Sequence, residues 1–342
     1  MCIRDRANTQ TTGHGGLSAE MKTYYGMELL ENAKPQLVHN QFAATKPLPA
    51  GGGKTVEWRK FGSFDKALTP LTEGVTPDGS GISVSYITKE LAQYGDYTTV
   101  SDMLDLTAID DVVLEITDRH GSNMGLTLDT VTRNEIQQGS QVIYAPVQGE
   151  GGSQTDVLHR YDLTDKCKLT SELVAKAATQ LKKMNAPTFD GKYVCIIHPS
   201  VAFDLRQDEA WIAAHQYAGA TELFSGEIGE LHGVRFIETT EAKIFNGEGC
   251  PVKTAADESK GTPAEYYSVY ATLFLGKDAY GMIDPEGGNL EMIIKDKGQV
   301  GGPLNQFSTL GYKFSSAAKI LYEDRMVRVE SCGAYSAEDE AN

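Results

Sequence analysis

Residues 68–97 read LTPLTEGVTPDGSGISVSYITKELAQYGDY, and this stretch decides how the rest of the chain is interpreted. It looks like two strands joined by a polar, glycine-rich tip. Two Thr-Pro steps disfavour both helix and pairing inside a sheet, while Ile82, Val84 and Tyr86 alternate with serines. These strands are too hydrophilic to fill a core of their own. We therefore predict an extended hairpin whose apolar face is covered by something outside it.

Composition indicates a soluble globular protein with one or two cores. The chain has 342 residues, of which 40% are hydrophobic and 23% are charged. Its 47 acidic and 31 basic residues give a formal charge of -16. Because nucleic-acid binders rely on neutralising phosphates, this balance argues against a protein that grips DNA or RNA broadly.

The cysteines and the N-terminus carry no targeting signal. The cysteines are odd in number, scattered and never spaced as Cys-x-x-Cys. This pattern indicates that the chain is synthesised in a reducing cytoplasm. The cysteines are Cys2, Cys167, Cys195, Cys250 and Cys332. The sequence contains no apolar run of about 18 residues that could span a bilayer, and no secretory h-region. Residues 1–6 fit nothing that follows and are interpreted as a cloning or read-assembly scar.

The first half of the chain predicts an arm, an extended excursion and a long helix. Residues 21–33 have the spacing of a short amphipathic helix, and residues 50–100 are extended. From Thr107 a capping box and an apolar stripe predict a helix to Gln138, roughly 45 Å long. Gly121 and Gly125 inside it indicate a bend or close packing.

The second half has an α/β texture. Residues 145–160 form a polar linker, and alternating helix and strand patterns follow it. Residues 246–264 form a polar loop, strand-like runs return near the C-terminus, and the acidic tail AEDEAN is predicted to be disordered. The fold class is α+β.

Catalytic signatures are missing from the sequence. It has no Walker loop, no G-x-G-x-x-G, no G-x-S-x-G and no H-E-x-x-H. His198, His215 and His232 share one predicted domain, but no two of them are spaced i, i+4 as a helical metal site requires. Cys195 lies among apolar neighbours, where a cysteine is usually a small core hydrophobe. We therefore expect that the protein is not an enzyme and that it binds neither a metal ion nor a cofactor.

Aromatic and basic residues alternate in the excursion. Trp58, Phe61 and Phe64 lie among Lys54, Arg59, Lys60 and Lys66, a mixture that resembles a small platform for single-stranded nucleic acid. In so acidic a chain the better interpretation is an anchor for another protein, including an acidic copy of the same one.

The order of these parts resembles the major capsid proteins of tailed phages, which have the HK-ninety-seven-like fold. The amino-acid sequences of several separated motifs resemble, more narrowly, the capsid proteins of the coliphage N-four type, and this resemblance covers most of residues 17–332. The motifs are TPLTEGVTPDGSG, LAQYGDYTTVSDMLDLTAIDD, HPSVAFDLRQDEAW, GEIGELHGVRFIETTEA, KDAYGMIDPEGGNLEMIIKD and GGPLNQFSTLGYKFSSAAKILYEDRMVRVES.

This resemblance implies a division of the chain into five parts. They are an N-terminal arm with a short helix at 1–36, an extended E-loop region at 37–106, a spine helix and P-domain at 107–163, an A-domain at 164–300, and C-terminal P-domain strands with an acidic tail at 301–342. No residue match supports the covalent subunit crosslinking of some relatives.

The implied function is assembly through pentamers and hexamers into the icosahedral head that encloses phage double-stranded DNA. The implied partners are copies of the chain, scaffolding, portal and decoration proteins, and DNA bound without sequence specificity, with no membrane. Assembly takes place in the host cytoplasm, and the product is the virion capsid. The predicted assembly contacts are Trp58, Arg59, Pro70, Thr72, Glu73, Pro77, Asp78 and Tyr86.

Three rival interpretations stay open at this point. The nearest is an encapsulin-like shell of a cellular nanocompartment. A hydrolase using His198 or Cys195, and a tail or surface-layer protein that forms tubes or sheets, are the other two.

Overall fold

A large mixed sheet holds the main core of the molecule. The computed structural model describes residues 37–49, 53–62, 64, 66–68, 70, 73–74, 76, 79, 81–107, 112–149, 153–212, 227–254, 264–285, 291–295, 298–300, 304–336 and 339–342. The strand order in this large sheet is Val142–Tyr144, Met326–Cys332, Val269–Leu275, Tyr193–Ile197, Val234–Glu238 and Glu227–Leu231, with Ile244–Phe245 beside Val269–Leu275.

The central strands of the large sheet are buried on both faces. Every residue of Tyr193–Ile197 and Val269–Leu275 is buried, as their continuous apolar sequences predict. One face packs against the helices Ser171–Lys183 and Pro199–Arg206. The first of these helices begins where the Thr170 hydroxyl accepts a hydrogen bond from the Leu173 amide, an ordinary N-cap.

The long helix, Val112–Ile136, packs on a separate small sheet. That sheet has the antiparallel order Glu291–Lys295, Phe307–Ser316 and Ala92–Ser101. Met124 and Leu128 of the helix contact Tyr312 and Phe314 of the sheet. With 25 residues at 1.5 Å each, the helix is about 37 Å long, shorter than predicted.

The start of the long helix differs from the prediction. Thr107 is the last residue of a separate six-residue helix, Asp102–Thr107, so it is not the N-cap that the capping box predicted. Residues 108–111 lie outside the described residues, as does the short helix predicted at 21–33. Gly121 and Gly125 are both buried, which fits the prediction of close packing.

A third, three-stranded sheet lies between the long helix and the hairpin described below. In this bridging sheet, Ala44–Leu48 runs parallel to Tyr280–Pro285, which is antiparallel to Ala318–Ile320. Tyr280 and Ile320 share an apolar cluster with Ile136, at the end of the long helix.

The hairpin pairs different strands from those expected. Thr55–Phe61 is antiparallel to Val84–Glu90, with Phe61 opposite Val84 and Trp58 opposite Ile87. The prediction that residues 68–97 contain both strands is therefore wrong, because the first strand lies before that stretch. Within 62–83, no described residue belongs to a strand. An alternating pattern shows which side chains share a face, but it does not name the partner strand.

The last strand and the tail lie on the large sheet. Met326–Cys332 is hydrogen-bonded between Val142–Tyr144 and Val269–Leu275. The tail was expected to be disordered, yet the Asp339 carboxylate accepts hydrogen bonds from Tyr270 at 2.6 Å and Ser200 at 3.3 Å. The Asp339 carboxylate thus binds one hydroxyl on the large sheet and one on the helix Pro199–Arg206.

The remaining elements are short. The strand pairs are Val147–Gln148 with Gln154–Thr155 and Val252–Thr254 with Glu265–Tyr266, and the 3-10 turns are Arg160–Asp162 and Glu323–Arg325. Among the described residues, no helix has the length and apolar character that a membrane crossing requires.

Candidate assembly surface

The base of the hairpin is anchored to the molecule's own core. Val56 is 4% exposed and shares an apolar cluster with Leu48, Ile283 and Ala317. Trp58 is half-buried, and a Cβ placed on Gly281 would lie 3.1 Å from its indole Nε1. A side chain at position 281 would thus displace the ring, so glycine there lets Trp58 approach the bridging sheet closely.

The outer part of the hairpin exposes a set of large apolar side chains. We call this set the hairpin surface; it consists of Phe61 (57% exposed), Phe64 (60%), Leu68 (82%), Ile82 (55%) and Tyr86 (59%). Single exposed apolar residues are common, but several on one projecting element mark a surface that another protein covers. The base of the hairpin is packed on the core, whereas the large apolar side chains of its outer part are exposed.

Basic side chains accompany these aromatic rings. The Arg59 guanidinium lies 5.9 Å from the Tyr86 ring centroid, and the Lys60 ammonium lies 4.7 Å from that of Tyr322. Arg59 also lies 3.4 Å from the Glu57 carboxylate, but both side chains are exposed and such a pair adds little stability. Rigid aromatic groups next to arginine are typical of binding hot spots between proteins.

The structure places five of the eight predicted contact residues. Arg59, Pro70, Glu73 and Tyr86 are exposed, whereas Trp58 is half-buried against its own chain. Thr72, Pro77 and Asp78 lie outside the described residues. Arg59 and Tyr86 are brought together across the strand pair, so both belong to one patch; for all eight residues, a role in assembly stays a prediction.

Sequence reasoning missed the polar link between the hairpin and the long helix. Lys89, on the second hairpin strand, donates to the Glu135 carboxylate at 2.8 Å, and Lys319 donates to the same carboxylate at 2.7 Å. Their separations along the chain are 46 and 184 residues, so no local pattern connects them. The link becomes visible only in the folded structure, where the Glu135 side chain is buried.

A second exposed surface lies on the small sheet. Tyr97 is 71% exposed there, beside a groove of about 550 Å³ lined by Gln93, Tyr97, Lys295 and Thr309. The hairpin surface and this groove are different surfaces of one chain.

The residues considered for catalysis form no reactive arrangement. The His198 ring accepts the Ser200 amide at 3.2 Å as a helix N-cap, and burial lowers its pKa. Cys195 is fully buried, which raises the pKa of its thiol well above the usual range. His232 lies in a turn, His215 lies outside the described residues, and no cluster of metal ligands occurs among the residues described.

Comparison with solved structures identifies the fold. The chain is similar to the capsid protein of the cyanophage P-SCSP1u, with 15% identity, 89% of each chain covered and a TM-score of 0.60. It is also similar to that of Ralstonia phage GP4, with 14% identity, 89% of this chain and 90% of that chain covered, and a TM-score of 0.61. A virus-like particle from Pyrococcus furiosus matches with 10% identity, 91% and 99% coverage and a TM-score of 0.51.

The chain has the HK-ninety-seven-like fold. The profile of a family described as phage capsid protein matches residues 84–297, more than half of the chain, and the chain belongs to this family. No curated protein matches it. It is a major capsid protein, a structural component of the virion capsid rather than an enzyme, and it assembles from copies of itself.

Proposed function

We propose that this chain builds an icosahedral head from pentamers and hexamers, and that the hairpin surface binds a neighbouring copy. The observation that carries the proposal is the contrast along the hairpin: Val56 is buried in the chain's own core, while Leu68 is 82% exposed. A closed shell needs contacts between different surfaces of identical copies. Such contacts can be individually weak because many act together.

The domain assignment supports this role and is likewise proposed. Residues 37–106 are assigned to the E-loop region, 107–163 to the spine helix and P-domain, and 164–300 to the A-domain. The segment 301–342 is shared, since Phe307–Ser316 pairs in the small sheet and Met326–Cys332 in the large one. The narrower likeness to the coliphage N-four type belongs to this proposal as well.

The partners of the assembled shell are proposed from its charge. With a formal charge of -16, the chain repels DNA on average, so packaged double-stranded DNA can be enclosed without sequence-specific binding. Scaffolding, portal and decoration proteins complete the expected set, with no membrane involved.

Deletion of residues 72–81 tests the role of the hairpin. We expect the variant to fold with unchanged circular dichroism and to form no closed shells by negative-stain electron microscopy, where the parent chain forms them with scaffolding supplied. Normal shells from the deletion would refute the assignment of the hairpin to assembly. A parent chain that stays monomeric under every condition would refute the proposal itself.

A cellular nanocompartment shell is the second candidate. It is favoured by the match to the Pyrococcus furiosus virus-like particle, which covers 99% of that chain. A neighbouring gene for a cargo enzyme would support it, whereas neighbouring portal and terminase genes would support the phage head. The family match over residues 84–297 favours the phage head.

A further inference from the structure

One buried carboxylate joins three elements of the fold. Glu135 lies in the last turn of the long helix, and its side chain is 10% exposed. One of its oxygens accepts from Lys89 on the hairpin at 2.8 Å, and the other accepts from Lys319 on the bridging sheet at 2.7 Å. The hairpin, the long helix and the bridging sheet therefore meet at a single side chain.

The two hairpin strands are held in different ways. Thr55–Phe61 is fixed by apolar packing of Val56 and Trp58, whereas Val84–Glu90 has no fully buried residue. Beside Lys89 a cleft of about 240 Å³ separates this second strand from the long helix. Leu91, directly after the second strand, belongs to the same apolar cluster as Val56, and the cleft leaves space for the strand before it to change its angle.

We propose that Glu135 is the positioning residue that sets the angle of the hairpin against the long helix. The inference rests on the proposed function, because the angle determines where the hairpin surface meets a neighbouring copy. The carboxylate acts in two ways: it attracts Lys89, and it neutralises the repulsion between Lys89 and Lys319. Without its charge, the two ammonium groups repel each other, and Lys89 lies on the strand that borders the cleft.

The ionisation of Glu135 is consistent with this role. Burial alone favours the neutral acid, but the hydrogen bonds from Lys319 and Lys89 outweigh burial and lower the pKa of the carboxyl. The group is thus charged at neutral pH.

The test measures the hairpin angle in the unassembled full chain. Spin labels are placed on Glu73→Cys, in the segment that joins the two hairpin strands, and on Tyr97→Cys of the small sheet, both of which are exposed. In the labelled chain, Glu135→Gln is expected to roughly double the width of the distance distribution, because the two lysines then repel. The matched control is Glu115→Gln, which removes an exposed carboxylate paired with Arg119 on the same helix and leaves the distribution unchanged.

A second variant separates positioning from general loss of structure. Lys89→Met removes the attraction and the repulsion together, so alone or in the Glu135→Gln background it should give the same distribution, broader than the parent's but narrower than that of Glu135→Gln. The inference would be overturned if the distance distribution of Glu135→Gln were as narrow as the parent's. It would also be overturned if adding Lys89→Met to Glu135→Gln left the distribution equally broad. The angle is read before assembly, so a failure to form shells would count against the proposed function and not against Glu135.

Discussion

The His39 ring Nδ1 lies 2.6 Å from the Asp129 carboxylate, and both side chains are completely buried. The other carboxylate oxygen accepts the His39 amide at 2.7 Å. This pair fastens the segment before the bridging sheet to the middle of the long helix, across 90 residues of sequence. The carboxylate serves the backbone and the ring together, so it fixes the path of the chain into the body of the protein.

Asp129→Asn is expected to lower the free energy of unfolding by about 2 kcal/mol, because the side-chain amide has one acceptor oxygen and cannot replace both buried contacts of the carboxylate with His39. Urea unfolding followed by circular dichroism measures the change. Glu115→Gln on the same helix is the control and should leave the midpoint in place. Equal midpoints for Asp129→Asn and the parent would show that the pair contributes no net stability.

The hairpin surface should matter for assembly and not for folding. Phe61→Ser and Leu68→Ser each remove an exposed apolar side chain, so the free energy of unfolding should stay within experimental error. Each is expected to slow assembly about tenfold at fixed concentration, because an interface anchor contributes roughly 1–2 kcal/mol. Light scattering follows shell formation.

The control for these variants is Val252→Ser. Val252 is 56% exposed, nearly the same as Phe61, but it lies on a separate strand pair. Its assembly rate should equal that of the parent. If all three variants slowed assembly alike, the effect would come from general loss of apolar surface.

The buried thiols should resist alkylation. Burial raises the pKa of Cys195 well above its usual range, and burial, together with the nearby Cys167, raises the pKa of Cys332 to about 12. Only the thiolate reacts, so at pH 8 iodoacetamide should leave both unmodified in the folded chain and label both in urea. Peptide mass spectrometry reads the outcome. Rapid labelling of Cys195 without denaturant would contradict its place in the core.

The stability added by the tail should depend on pH. Burial alone would raise the pKa of Asp339, but hydrogen bonds from Ser336, Tyr270 and Ser200 lower it below the usual value. The contribution of the carboxylate is therefore present above the ordinary carboxyl pKa and is lost as the pH falls through the lower, folded-state pKa. Asp339→Asn should cost about 1 kcal/mol at pH 7 and progressively less in acid.

Thermal unfolding between pH 7 and pH 3 measures this dependence. Asp156→Asn is the matched control, since that carboxylate is 82% exposed and lies 3.8 Å from Lys176. A difference between Asp339→Asn and the parent that stayed constant down to pH 3 would show that charge has no part in holding the tail.

Local patterns predicted the type of most elements but not their partners. The alternation of Ile82, Val84 and Tyr86 predicted an exposed strand, and Val84 and Tyr86 do lie on one. Its partner Thr55–Phe61 could not be read from the same stretch, because register is decided by which faces can be covered in three dimensions. The capping-box prediction failed because Thr107 is itself the last residue of the helix Asp102–Thr107.

The sequence also failed to predict which charged side chains of the long helix are buried. The apolar stripe of the long helix contains Met124 and Leu128, which pack as predicted on the small sheet. Asp129 and Glu135 on the same helix are buried because His39, Lys89 and Lys319 come from distant parts of the chain. A charged residue in a helical sequence pattern is usually solvent-exposed, so only the folded structure could identify these two as buried.

The sequence by itself determined the class of protein, the α+β composition, the exposed character of the hairpin and the inert setting of Cys195. The class of protein follows from the resemblance of the motifs and their order, and the other properties follow from local periodicity and composition. Only the tertiary structure decided which strands pair, how Glu135 links hairpin and helix, and that Asp339 binds the large sheet. Each of those depends on groups far apart in sequence, whose burial and charge are balanced only when the chain has folded.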